Sequence, residues 1–315
     1  MSIAPANAAS PADDAFDEFS FLPEQAAAQG RPAPIGRRER LLLPDGRALS
    51  ALAYGEGRPR IVLLHGAGLN AHTWDQTVIA LGLPALAIDL PGHGHSSWRA
   101  DADYRARTIA DDVVRGIEAW ADAPVVLVGQ SLGGLTAAAV ASRRPDLIAR
   151  LAIVDITPGV DTSAGPAMLR RFYEETVFAS RDELVERALA FGLGGSRAQA
   201  ERGVLLNSRV RDDGRVEWCH HFAQLMSSGT PSPAAAPESG WEDLAGVTAP
   251  IALVRGTTGF VTSGDADEFA RRTGADVVAL DAPHNVQEVA FADLASLIAR
   301  LAASAGAAPE GRQTA

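Results

Sequence analysis

Six short runs of apolar residues without polar alternation constrain this chain more than any other feature. They are RIVLLH (60–65), PALAIDL (84–90), PVVLVG (124–129), LAIVDI (151–156), PIALVRG (250–256) and DVVALDA (276–282). A strand with one wet face alternates apolar and polar residues, so runs that are apolar throughout are expected of parallel strands covered on both sides. Between them Ile109, Val113, Ile117 and Trp120 form one helical stripe. Val289, Leu294, Leu297, Ile298 and Leu301 form another near the C-terminus. Strand and helix in alternation predict an α/β fold built on a doubly wound, mostly parallel sheet. Ahead of the first run, RERLLL and RALSALAY flank Pro44-Asp45-Gly46, a turn signal that predicts an opening hairpin.

The rhythm stops between Pro158 and Thr248. Helical patterns are expected there around 165–179, 181–191, 196–208 and 216–228, without strand-like runs. A helical insertion at the C-terminal edge of such a sheet would roof the crevice where ligands of these folds bind. TPSPAAAPESG (230–240) reads as its exit linker. Residues 1–35 hold ten alanines and five prolines but few large apolar residues, a composition expected of a disordered extension. The expected organisation is an extension over 1–35, a core over 36–157 and 249–303, a helical cap over 158–248, and a disordered tail over 304–315.

Acids outnumber bases 39 to 28, for a formal net charge of −11, and no long Lys/Arg run offsets this. A nucleic-acid backbone partner is therefore not expected. No stretch reaches the 18 consecutive apolar residues of a membrane span, so no membrane partner is expected either. The N-terminus lacks the basic and apolar regions of a secretory signal. A single cysteine, Cys219, excludes an intrachain disulfide framework and any site needing several thiolates. Together these point to a cytoplasmic protein whose partner is a small molecule.

The chemistry is concentrated in Gly129-Gln130-Ser131-Leu132-Gly133-Gly134. It follows the buried run PVVLV and precedes LTAAAVAS, a small-residue helix, which is the strand–turn–helix setting of a G-x-S-x-G nucleophile elbow. A glycine-rich βα turn without chemistry is the bland alternative, and the flanking strand and helix weigh against it. The turn would hold Ser131 at a helix N-terminus, where free N–H groups favour developing negative charge. A serine hydroxyl needs a neighbouring base. His284, in ALDAPHNVQEVAF, follows the last strand run and precedes the last helix, on the same sheet edge as Ser131. An oxyanion hole needs two donors aimed at one point. The Leu132 N–H is one candidate, and the Ala67 N–H, in the His65-Gly66-Ala67-Gly68 loop, is the other. His65 is expected to organise that loop rather than to transfer protons.

HGAGLNAHTW (65–74), DLPGHGHS (89–96), GQSLGG (129–134) and the late APH, in that order, resemble the α/β-hydrolase superfamily over roughly residues 38–303. The resemblance implies an eight-stranded, mostly parallel sheet, a Ser–His–acid triad, and a cap inserted after the sixth strand. It also implies that Asp89 and His93 belong to a structural loop, although Asp89-x3-His93-x-His95 taken alone suggests metal ligands.

The chain departs from the family at the third triad member. Most relatives carry an acid three residues beyond the glycine that ends the seventh strand, and here that position is Gly259. Asp155, at the end of LAIVDITPG, is the favoured acid, because the next strand along would carry it to the same edge as Ser131. Asp265 and Asp267 are the alternatives, though both read as first-turn acids of the following helix. An aspartate in this role fixes the histidine tautomer and stabilises the imidazolium.

Trp74, Phe260 and Trp218 are candidate pocket residues. Cys219 reads as packed. The expected activity is hydrolysis of a small or medium ester, lactone or amide through an acyl-enzyme, with no metal and no cofactor. Carbon–carbon bond hydrolysis of a vinylogous diketone is a second reading. It would call on cap arginines (Arg170, Arg171, Arg187, Arg202 or Arg209) to bind a substrate carboxylate. Epoxide and haloalkane hydrolysis are disfavoured, since relatives with those activities use Asp where this chain has Ser131. A third reading is a ligand receptor on the same fold, because fold does not fix function.

Overall fold

The strand runs of the sequence become one sheet of eight strands. The structure, a computed structural model, describes residues 16–160, 170–193, 195–229 and 239–306. The core strands are β1 (Gly36–Leu42), β2 (Ala48–Tyr54), β3 (Ile61–Leu64), β4 (Ala85–Asp89), β5 (Val125–Gln130), β6 (Ile148–Val154), β10 (Ile251–Gly256) and β11 (Asp276–Leu280). Their spatial order is β1-β2-β4-β3-β5-β6-β10-β11. The β1–β2 hairpin and the β2–β4 pair are antiparallel, and every other pairing is parallel. The fold is that of an α/β hydrolase. From β3 the chain moves one way to β4 and then returns to place β5 on the other side. The C-terminal ends of β3 and β5 thus flank a topological switch point, where crevices open in such sheets.

Helices cover both faces. On one side lie α3 (Ala106–Trp120), α4 (Leu132–Arg143) and α9 (Ser263–Thr273). Ile109, Val113, Val140 and Phe269 share a core cluster there with Leu64, Leu127 and Ile153 of the sheet. On the other lie α1 (Leu22–Ala28), α2 (Asp75–Leu81), the short α10 (Val286–Val289) and α11 (Phe291–Gly306). Val78, Ile79, Leu294 and Ile298 pack there against Leu63, Val128 and Val254. The two edge strands, β1 and β11, are the exceptions to two-sided coverage, with Leu42 73 % and Val277 41 % exposed. Among the described residues no helix is long and apolar enough to cross a membrane.

Four expectations need correction. Residues 16–35 are not a disordered extension. Phe19, Leu22 and Ala26 pack on the second core cluster, α1 lies beside α2, and Gly36 leaves room for the Phe19 ring, which a Cβ there would overlap. Residues 1–15 lie outside the described residues. At the other end, 304–306 continue α11, while 307–315 lie outside the description.

The insertion between β6 and β10 is also not purely helical. Alongside α5 (Arg181–Ala190), α6 (Arg197–Asn207) and α7 (Phe222–Ser227) it contains an antiparallel sheet of β7 (Val177–Phe178), β8 (Ser208–Val210) and β9 (Val216–Trp218). Its last helix, α8 (Gly240–Ala245), packs on α4, and Leu244 joins the first core cluster, so the core resumes before residue 249. The predicted segment 165–169 and the residues 230–238 of the linker fall outside the described residues.

Candidate active site

Ser131 caps α4 with φ 53° and ψ −121°, a conformation that side chains rarely adopt. Backbone pressed against backbone enforces it. A Cβ on Gly129 would overlap the carbonyl of Gly133, and one on Gly133 would overlap the carbonyl of Leu64. The elbow therefore lies against the end of β3 with no side chain between them. Asp155 follows β6 and has a positive φ of 50°, which aspartate tolerates better than most residues.

The Asp155 carboxylate is fully buried and held on both oxygens. Oδ1 accepts from the Gly256 N–H at 2.9 Å, and Oδ2 accepts from the Phe260 N–H at 2.7 Å. Oδ2 also meets His284 Nδ1 at 2.8 Å. A carboxylate held by amide donors is an acceptor, so Nδ1 is the protonated nitrogen and Nε2 is left unprotonated. The Phe260 ring stacks on the imidazole with centroids 3.9 Å apart and planes 26° from parallel. Gln130 supports the same loop, its Nε2 donating to the His284 carbonyl at 3.2 Å.

Asp265 lies elsewhere. Its carboxylate accepts from the Thr262 N–H and hydroxyl at 2.9 and 2.6 Å, and its own N–H donates to that hydroxyl at 3.2 Å, closing a capping box on α9. Asp267 is exposed on the same helix. Neither is brought to His284.

The loop after β3 is organised by imidazoles. His65 Nε2 accepts from the Leu90 N–H at 2.9 Å, which leaves Nδ1–H to donate to the Gly66 carbonyl at 2.8 Å. His93 Nε2 accepts from the Gly68 N–H at 3.1 Å, and its Nδ1–H donates to Pro91 O at 3.1 Å. Burial lowers the basicity of both, and the neighbouring His65 and His220 lower it further in His93. Asp89 accepts from the Ala71 N–H at 2.8 Å and the His95 N–H at 3.1 Å and pairs with Arg38 at 2.7 Å. Asp89 and His93 thus spend their polar atoms on loop structure. The Ala67 and Leu132 N–H groups have no protein acceptor among the described residues.

The insertion is fastened over this loop. Asn207 Nδ2 donates to the Gly68 carbonyl at 2.8 Å, and Asn70 Nδ2 donates to the Leu206 carbonyl at 2.8 Å. His221 stacks on Trp98 at 4.5 Å and accepts at Nδ1 from the Tyr104 hydroxyl at 2.8 Å. Ala67 packs against the aromatic cluster of Phe172, Tyr173, Trp218 and Phe222.

Two of the three expected pocket residues are core instead. Trp74 is fully buried with Leu22, Val78 and Ile79 beneath α2. Trp218 is packed among Phe172, Tyr173 and His220. Phe260 stands beside His284. Arg187 donates to the Arg171 and Phe172 carbonyls, Arg202 binds Asp75, and Arg209 binds Glu217. Arg170 and Arg171 are exposed. Sequence reasoning missed Gln130, the variable position of the elbow. It also missed the pair His72 and Asp75, whose i, i+3 spacing on a turn was the available signal.

Comparison with known proteins agrees with this fold. The family described as alpha/beta hydrolase fold matches residues 59–215. Esterase Rv0045c of Mycobacterium tuberculosis is 36% identical over 264 residues, covering 82% of this chain and 85% of that protein. A solved structure of that esterase superposes with a TM-score of 0.75 at 33% identity, covering 90% of this chain and 98% of the other. The (E)-2-((N-methylformamido)methylene)succinate hydrolase of Acinetobacter baylyi is 31% identical over 156 residues, 49% of this chain and 52% of that protein.

Proposed function

The chain belongs to the α/β-hydrolase family and is a hydrolase, and we propose that it is a serine esterase using Ser131, His284 and Asp155. The observation that carries this reading is the 2.8 Å contact between His284 Nδ1 and a carboxylate already held by two amides. It fixes the tautomer in which Nε2 is free to take a proton. Likeness to an esterase over most of both chains supports the ester as substrate.

In the proposed reaction the Ser131 hydroxyl attacks the acyl carbon as His284 Nε2 takes its proton. The carbonyl electrons move onto oxygen, which rests on the Ala67 and Leu132 amides. Collapse expels the alkoxide, which takes the proton from His284, and leaves an acyl group on Ser131. Water then gives a proton to His284 and attacks the acyl carbon. Collapse of the second intermediate returns that proton to Ser131 and releases the acid. Burial of Asp155 keeps its carboxylate from being screened by water while the imidazolium exists. The insertion acts as a cap that limits substrates to small or medium esters. Engagement of Arg187, Arg202 and Arg209 in structural contacts favours an ester over a carboxylate-bearing diketone.

The test is intact-mass labelling by a fluorophosphonate on wild type, Ser131→Ala and Asp155→Asn. One adduct is expected on wild type, none on Ser131→Ala, and labelling slowed by at least about a hundredfold on Asp155→Asn. Folded wild type that neither labels nor hydrolyses short p-nitrophenyl esters would sink the esterase reading and favour a receptor.

A further inference from the structure

We propose that Glu18 is a positioning residue that acts through His72 on the loop carrying the Ala67 amide. This rests on the esterase reading above.

His72 lies in the short turn Ala71–Trp74, five residues beyond Ala67, and is almost fully buried. Its Nδ1 meets Asp75 Oδ2 at 3.0 Å and its Nε2 meets Glu18 Oε2 at 3.1 Å. An imidazole with a carboxylate on each nitrogen donates from both, so it is held as the cation. Glu18 also forms a fork with Arg38, and Arg38 continues to Asp89, whose other oxygen binds the Ala71 N–H. From the insertion, Arg202 reaches Asp75 Oδ2 at 2.5 Å and the His72 carbonyl at 3.2 Å, while the Tyr54 hydroxyl donates to Asp75 Oδ1 at 2.5 Å. Three carboxylates, Glu18, Asp75 and Asp89, face three cations, Arg38, His72 and Arg202. Three further titratable groups lie beside them: His95, whose basicity burial and Arg38 lower; His65, which burial lowers; and Glu288, whose pKa burial raises and which accepts from the Thr73 hydroxyl of the same turn at 2.8 Å. Removing Glu18 alone leaves one buried positive charge uncompensated.

The fastening is specific to this segment. Phe19 packs against the rings of Tyr54 and His72 at 6.4 and 5.8 Å, in the space that Gly36 leaves. Phe21 lies 5.8 Å from the Arg202 guanidinium, and Gln29 donates to the Gln76 carbonyl and side chain. The turn so held begins at Asn70, whose side chain caps it by accepting from the His72 N–H at 3.0 Å. Rotation of that turn is passed to the Ala67 amide, three residues upstream of Asn70. An oxyanion donor displaced by a fraction of an ångström stabilises the transition state less while leaving substrate affinity nearly intact. Burial opposes the charge on His72, yet Asp75 and Glu18 raise its pKa to about 9. Without Glu18 it would lose its proton at lower pH.

The experiment compares wild type with Glu18→Gln, Glu18→Asp and, as a surface control on the same segment, Glu24→Gln. Hydrolysis of p-nitrophenyl acetate is followed from pH 6 to 10, with the His72 titration read by NMR of histidine-labelled protein. Glu18→Gln is expected to lower kcat about tenfold with KM within about twofold. The alkaline limb of its profile and the His72 titration should both move to lower pH. Glu18→Asp should recover part of the rate, and Glu24→Gln should match wild type. A Glu18→Gln protein with the wild-type profile overturns the inference, as does one that only melts earlier while its folded fraction keeps the wild-type kcat and pH limb. Wild type without any turnover overturns the esterase reading instead, and this inference with it.

Discussion

Gly259 and the Asp155 carboxylate occupy one space: a Cβ built on Gly259 would overlap both carboxylate oxygens of Asp155. The resemblance to α/β hydrolases implies an acid at this position, so the lack of a side chain at 259 and the carboxylate at the end of β6 are two halves of one arrangement. Asp155 reaches His284 only because residue 259 has withdrawn, and the loop 256–260 then turns two N–H groups onto the carboxylate.

Gly259→Ala should therefore damage the site although it adds one methyl group. The methyl carbon meets a charged, doubly bonded group that cannot yield, so Asp155 and with it His284 must move. We expect kcat/KM for a short ester to fall at least about a hundredfold, with a melting temperature only a few degrees lower. Ester kinetics together with thermal unfolding followed by circular dichroism separate this from general unfolding. Wild-type kinetics in Gly259→Ala would contradict the shared-space argument.

The sheet and the elbow were legible because their signals are local. Buried parallel strands lose polar alternation, and G-x-S-x-G must sit between such a strand and a helix of small residues. The Asp155–His284 contact joins residues 129 positions apart. It was legible from two signals together, the glycine at 259 and the strand end that carries Asp155 to the same sheet edge as Ser131. The docking of residues 16–31 was not legible, because the few large apolar residues of the N-terminal stretch (Phe16, Phe19, Phe21, Leu22) are diluted by alanine and proline. Their anchorage depends on Gly36, Arg38 and His72, which composition does not weigh. Strands β7, β8 and β9 span two or three residues each, too few to display a period of two. Trp74 illustrates a further limit: proximity in sequence to the oxyanion loop does not say which way the ring turns, and the turn after Asn70 aims it into the core.

Stability should fall steeply as the solution is acidified below about pH 6.5. His65, His93 and His220 are buried and neutral. Burial, reinforced by His65 and His221, lowers His220 to about 3, and burial likewise lowers the other two. Each contributes stability that is complete above its unfolded pKa of about 6.5 and is lost as pH falls toward the folded value, because the unfolded chain then binds a proton that the folded chain refuses. The limiting slope is about 1.4 kcal/mol per pH unit for each such histidine. His72 has the opposite sign: its contribution is complete below about 6.5 and is lost as pH rises through about 9. Urea unfolding at pH 7 and pH 5 tests the acid side, and His220→Phe should show a shallower loss than wild type. Equal slopes would mean that His220 is not a neutral buried group.

Truncating Trp218 should act on the packing of the insertion rather than on a substrate contact. The indole is packed against Phe172, Tyr173 and His220. Trp218→Ala is expected to cost about 3–5 kcal/mol within that cluster. Limited proteolysis should then cut within 170–229 faster than in wild type, and rates should fall across short and long esters alike. A change of chain-length preference with unaltered proteolysis would return Trp218 to the pocket.

Phe260 joins the two halves of the proposed acid–base pair, since its backbone holds Asp155 and its ring lies on His284. Substitution keeps the amide, so Phe260→Ala isolates what the ring does. Without it the imidazole loses the surface against which its plane is set and gains room to swing about the Nδ1–Asp155 bond. A cation also gains from an aromatic face, by about 0.5–1 kcal/mol at partly exposed sites, so the imidazolium formed during attack is less favoured. The two effects together predict a loss of about tenfold in kcat and in the rate of fluorophosphonate labelling. Phe260→Tyr should retain most of the rate and Phe260→Leu less. Because the ring is only partly buried, the melting temperature should change little in all three. Alanine and wild type labelling at the same rate would show that Asp155 alone orients His284.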